Sequence, residues 1–253
     1  MKALVRLAGF ILFLYALAVG GLYFQQRNLL FVRDAQPAPH AGFWLYDHNA
    51  SDVWIDRFNP GQSTALIYFP GNTTSDWDNP ERLARMLPNH TLYFMRYRGF
   101  ANSPGAPSQR AFYSDALVLF DAVRGHHKVL NIMGRSLGSS MAIYTAAKRP
   151  AHKLLLVTPF DGIALAAAKA YPWLPVTYLL KDPFPSRIYA PHVAESTCVI
   201  LAKNDQKVPY QSSKNLIDLL PEPPKVLALR GVSHSGIVRH PLYLKTIADF
   251  LQQ

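Results

Sequence analysis

Ser136 stands in Gly134-Arg135-Ser136-Leu137-Gly138, after the apolar run Val129–Met133 and before the small-residue stretch Ser139-Ser140-Met141-Ala142. A serine hydroxyl is a poor nucleophile near neutral pH. It attacks effectively when a base lies within hydrogen-bond reach and an acid orients that base. The Gly-x-Ser-x-Gly spacing suits a strand that turns sharply into a helix. Such a turn strains the serine backbone and exposes its hydroxyl at the carboxyl edge of a sheet. Gly134 and Gly138 leave room where a Cβ would collide with neighbouring backbone. The following helix aims its first amides at the site, so Leu137 N–H is a candidate donor to a developing oxyanion.

The partners of such a serine come from loops at the carboxyl ends of later strands, in the order Ser, Asp/Glu, His. Among nine histidines, His234 follows the last apolar run and has small neighbours in Gly231-Val-Ser-His-Ser-Gly236. His240 falls on the final helical pattern, His152 precedes a strand, and His192 lies in a Pro-flanked loop. Position therefore favours His234 as base. For the acid, Asp205 ends Val199-Ile-Leu-Ala-Lys-Asn-Asp, and Asp161, after the preceding strand, is the alternative. The loop Pro70-Gly71-Asn72-Thr73-Thr74 follows another strand, and Asn72 N–H is the candidate second oxyanion donor.

Elements that could position these residues are legible in the apolar pattern. Strand-like runs are Ala65–Phe69, Thr91–Tyr97, Val129–Met133, Leu154–Thr158, Val199–Ala202 and Val226–Leu229. Helical patterns fall at Pro80–Leu87, Phe112–Val123, Leu137–Lys148, Ser212–Leu220 and Pro241–Leu251. Near-continuous apolar strands alternating with helices predict an α/β fold with a mostly parallel sheet, flanked by helices on both faces. Phe43–Tyr46 and Val53–Phe58 read as short antiparallel strands ahead of it. The aromatic- and proline-rich interval at about 160–196 is too long for an ordinary connection and suits a small helical cap over a pocket.

Leu4 to Phe24 is almost uninterrupted apolar, close to the ~20 residues that a helix needs to cross a bilayer. Arg6 at one end can snorkel, and Tyr23 and Phe24 at the other suit an interfacial belt. A cleaved signal peptide ending at Ala16-Leu17-Ala18 is the competing reading; continuation of the apolar run to Phe24 favours an uncleaved anchor. Lys2 and Arg6 on one side nearly balance Arg27 and Arg33 on the other, so charge assigns no side of the membrane. The expected organisation is an anchor over 1–26 and a catalytic domain over 27–253. Of the 253 residues 49% are apolar and 17% charged, which excludes global disorder, and the net charge is +10. No dense Lys/Arg run or zinc-finger spacing points to nucleic acid. A basic surface suits anionic headgroups instead. No feature calls for an obligate protein partner. Cys198 is alone, so neither an intrachain disulfide nor a cysteine-based metal site can form.

Phe69-Pro-Gly-Asn72, Tyr97-Arg-Gly-Phe-Ala-Asn-Ser103, Gly134–Gly138, Asn204-Asp-Gln-Lys-Val-Pro209 and Ser233-His234 together resemble the α/β-hydrolase superfamily. More closely they resemble its membrane-anchored Bem46-like branch (the ABHD12/13/17 type). The likeness covers about residues 25–252. It implies a serine hydrolase with Ser136 as nucleophile, Asp205 as acid, His234 as base, and the amides of Asn72 and Leu137 as oxyanion hole. It calls for no metal or cofactor. Pro70 stands where the branch commonly has His, Thr73-Thr74 replace Ala-Gly, and Arg135 stands where Gln, Glu or His is more usual. These departures remove no catalytic group and bear on loop shape and substrate preference. With the aromatic cap and the anchor, the expected substrate is a small-molecule ester or thioester with an apolar acyl chain. A serine peptidase or amidase of the same fold, and a catalytically silent membrane-tethered binding module, are the alternatives.

Overall fold

The computed structural model describes residues 1–31, 40–46, 52–72, 80–100 and 103–252. Arg33, Pro37, Pro39, His48, Thr73 and Thr74 lie outside them. Among the described residues, eight strands form one sheet: β1 (Gly42–Leu45), β2 (Val53–Phe58), β3 (Thr64–Phe69), β4 (His90–Met95), β5 (Val129–Arg135), β6 (Lys153–Val157), β7 (Ser196–Ala202) and β8 (Lys225–Leu229). Their spatial order is β1-β2-β4-β3-β5-β6-β7-β8. The pairs β1–β2 and β2–β4 are antiparallel and the remaining neighbours parallel. Crossovers between parallel strands leave the carboxyl ends of β3 to β8 on one edge, where a shared site can form.

Side chains alternate across a strand, so an apolar run buried on both faces feeds two cores. In β3, Ala65, Ile67 and Phe69 enter one apolar cluster, while Leu66 and Tyr68 enter the other. β4 divides likewise, Tyr93 and Met95 against Leu92 and Phe94. The first core is covered by α3 (Gln109–Arg124), α4 (Leu137–Ala146) and α8 (Tyr210–Ile217). The second is covered by α2 (Pro80–Met86) and α9 (Pro241–Gln252). Helix α3 begins three residues before the expected Phe112 because Ser108 caps it, its Oγ accepting Ala111 N–H at 3.2 Å. Its buried face is Phe112, Ala116, Leu119, Phe120 and Val123, joined by Asp115, which pairs with Arg98. Burying one such aromatic stabilises the fold by roughly 1.5–3 kcal/mol. Strand β4 stops at Met95, before the expected Tyr97. Arg96 instead turns into a fully buried ion pair with Asp56 of β2 at 2.8 Å, and Gly99 takes a φ of +78° just beyond.

Between β6 and β7 the chain forms α5 (Ile163–Ala170), α6 (Val176–Leu179) and α7 (Ser186–Tyr189), over the interval expected to form the cap. At the other end of the sequence, α1 runs unbroken from Lys2 to Leu30 with no buried residue. The expected division at residue 26 falls inside this one helix. It is long and apolar enough to cross a membrane. Its end is docked on the domain. Arg27 Nε donates to the buried carboxylate of Asp182 at 2.7 Å, and Phe31 next to it is 1% exposed.

Candidate active site

The turn from β5 into α4 carries Ser136 at φ 50°, ψ −119°, in the left-handed region that a non-glycine residue enters at a cost of about 1–3 kcal/mol. Three contacts hold it there. Ser136 N–H donates to Val157 O of β6 at 2.9 Å, and its carbonyl accepts Ser139 N–H at 2.9 Å and Ser139 Oγ–H at 2.6 Å. The flanking glycines are steric requirements. A Cβ on Gly134 would lie 2.4 Å from Gly138 O, and one on Gly138 would lie 2.0 Å from Phe69 O.

His234 lies in the loop after β8 and Asp205 in the loop after β7. The imidazole Nε2 is 3.0 Å from Ser136 Oγ, and Nδ1 is 2.7 Å from Asp205 Oδ2. Side chains of His234 and Asp205 are 2% and 3% exposed, which keeps water from competing for these bonds. The second carboxylate oxygen of Asp205 accepts the N–H groups of Lys207 and Val208, each at 2.8 Å, so the acid is fixed from both sides. Asp161 does not join this group. Its oxygens accept Ser212 Oγ–H at 2.5 Å and Asn215 Nδ2–H at 3.3 Å, tying it to α8. The other histidines with a described partner serve locally. His127 meets Tyr93 Oη at 2.9 Å, and His240 accepts Leu242 N–H at the start of α9.

Asn72 and Leu137 line the same cavity as Ser136, a space of about 320 Å³. Two contacts fix the Asn72 loop in place. Buried Tyr97 donates its hydroxyl to Pro70 O at 2.6 Å, and Asn72 Nδ2 donates to Leu30 O, the end of α1, at 2.5 Å. Burial holds the Tyr97 phenol well above its ordinary pKa of 10.0, so it remains a donor. Sequence reasoning missed two of these arrangements. Arg135, noted above only as an unusual residue, is fully buried, and its Nη2 donates to the carbonyl of His234 at 3.1 Å. An arginine beside Ser136 in an apolar strand was the available signal, since a buried guanidinium must meet acceptors. The second is Leu29 and Leu30 of α1, which line the cavity; nothing in the spacing brings the N-terminal apolar helix to the site.

A strand-to-helix turn bearing Ser136 after β5, a loop bearing Asp205 after β7 and a loop bearing His234 after β8, on an eight-stranded, mostly parallel sheet flanked by helices, give this chain the α/β-hydrolase fold. Comparison with known proteins agrees. The chain resembles mouse alpha/beta hydrolase domain-containing protein 10 with a TM-score of 0.62 at 18% identity, over 84% of this chain and 97% of that one. It resembles an esterase of Pyrococcus furiosus with a TM-score of 0.68 at 13% identity, over 87% and 97%. In sequence it is 28% identical over 242 residues to an uncharacterised protein of Mycobacterium tuberculosis, covering 85% of this chain and 82% of that one. It is 26% identical over 247 residues to the lysophosphatidylserine lipase ABHD12 of Danio rerio, covering 84% of this chain but 64% of the relative. No family model matches the chain.

Proposed function

We propose that this chain is a membrane-anchored serine hydrolase that cleaves a carboxylic ester or thioester bearing an apolar acyl chain. The observation that carries the reading is the relay Asp205–His234–Ser136, with links of 2.7 and 3.0 Å. His234 Nε2 takes the hydroxyl proton as Ser136 Oγ attacks the acyl carbonyl carbon. The amides of Asn72 and Leu137 receive the oxyanion, and Asp205 stabilises the imidazolium that forms. The imidazolium then protonates the leaving alkoxide or thiolate, the carbonyl re-forms, and an acyl-enzyme remains on Ser136. Water, deprotonated by His234, attacks that ester and releases the acid. Arg135 steadies His234 through its backbone carbonyl. The names of the relatives, a lysophosphatidylserine lipase and an esterase, support ester chemistry and an acyl-lipid substrate. The chain spans about two thirds of that lipase's length, so the lipase's own substrate is not carried over.

The test is hydrolysis of p-nitrophenyl esters from acetyl to dodecanoyl, with p-nitroanilides alongside. Esters are expected to turn over, with long chains favoured, and Ser136→Ala to lower kcat by about a thousandfold or more. Undiminished turnover in Ser136→Ala would remove the serine from the mechanism. A steep preference for acetyl would end the acyl-lipid assignment, and anilide cleavage without ester cleavage would make the chain an amidase.

A further inference from the structure

The cavity in front of Ser136 shares Leu29, Leu30 and Ile163 with a second one of about 200 Å³ between α1 and the cap. Val19 and Leu22 of α1 face Ala167 and Leu174 across it. Gln26 also lines this space, but its amide is engaged. Nε2 donates to Leu179 O at 3.1 Å and Oε1 accepts Lys181 N–H at 2.8 Å. The path from Leu30 to Val19 follows α1 for about 16 Å, at 1.5 Å per residue.

The same rise locates this path relative to a bilayer. The first polar run after the apolar stretch is Gln25-Gln26-Arg27-Asn28. Tyr15 lies about 15 Å deeper along the helix. Yet Tyr15 Oη donates to Trp173 O of the cap at 2.8 Å. If α1 spans a membrane, the cap tip therefore descends beside it into the acyl layer. The tip turns large apolar and aromatic surface outward: Tyr171, Trp173 and Tyr178 are 40%, 51% and 90% exposed. Lys181 Nζ sits 4.1 Å over the Tyr23 ring, at headgroup level. Arg27–Asp182 and Asn72–Leu30 fix α1 against both the cap and the loop beside Ser136, so it is a wall of the site as well as a tether.

We infer that α1 and the cap enclose an acyl-chain channel that opens into the bilayer. The substrate is then a membrane-resident acyl amphiphile, held with its chain along Val19–Leu30 while its ester reaches Ser136. This rests on the hydrolase reading above and adds the route and the lipid source. The test uses the full chain in phosphatidylcholine vesicles and two reagents, ethyl and dodecyl fluorophosphonate. Wild type is expected to react with the dodecyl reagent at least tenfold faster than with the ethyl one. Filling the channel from either wall, with Ala167→Trp or Val19→Trp, should lower that rate ratio tenfold or more. An unchanged ratio in both variants, or a wild type indifferent to chain length, would overturn the channel and leave the hydrolase intact. A wild type inert to both reagents would overturn the hydrolase reading and this inference with it. Brominated phosphatidylcholine should quench the fluorescence that distinguishes wild type from Trp173→Phe; absence of quenching would overturn the opening into the bilayer.

Discussion

Asp205 and Asp161 follow neighbouring strands, but only Asp205 faces His234. Its carboxylate makes one bond to the imidazole and two to backbone amides, whereas Asp161 is occupied by Ser212 and Asn215 of α8. Two opposite outcomes follow for asparagine substitutions. Asp205→Asn should keep the fold and lower kcat by about 10⁴-fold, because an amide can hold the imidazole in the wrong tautomer. Asp161→Asn should lower unfolding free energy by about 1–3 kcal/mol through its buried hydrogen bonds and leave kcat within a few-fold. Steady-state kinetics with urea denaturation reads both, and near-normal turnover in Asp205→Asn would take the acid role from it. At this scale the candidate residues were legible because chemistry restricts their types and chain order. Loop position and the resemblance favoured Asp205 over Asp161; what was not legible is that Ser212 and Asn215 of α8 occupy the carboxylate of Asp161. Nor was Arg135's contact, which depends on how the His234 loop folds back over β5.

The central strands were legible as runs because burial on both faces favours apolar residues at nearly every position. Their ends were less so, for local side chains set them: Ser108 starts α3 early, and the Arg96–Asp56 pair ends β4 early. The elbow is where elements touch most closely. A methyl group on Gly138 would meet Phe69 O at 2.0 Å and Pro70 O at 2.5 Å, both backbone atoms at the end of β3. Gly138→Ala must therefore push α4 away from the Asn72 loop. We expect destabilisation of about 1–3 kcal/mol, as for other overpacked sites, together with loss of ester turnover. A variant with wild-type stability and kcat would show that this approach is not required. The cap was legible only as an interruption in the strand–helix rhythm. Its short helices α6 and α7 carry too few residues to show a period.

Across the whole molecule, α1, the cap and the sheet edge that carries Ser136 are joined at a few polar contacts. Asp182 accepts Arg27 of α1 and the backbone N–H of Gln109, which begins α3. Asn72 reaches from the loop after β3 to the carbonyl of Leu30, at the end of α1. Hydropathy made α1 legible as a candidate span, because a long apolar run needs no tertiary context to be seen. Its docking was invisible in sequence, since Asp182 and Asn72 lie far along the chain from Arg27 and Leu30. These contacts bring a helix suited to lipid within reach of Ser136, and the account turns on that serine being the residue that becomes acylated. The most direct measurement is intact mass and peptide mapping of the full chain after reaction with a fluorophosphonate. The account predicts one adduct, on the peptide containing Ser136, absent in Ser136→Ala and formed far more slowly in His234→Ala. An adduct on another residue, or none on folded wild type, would contradict it.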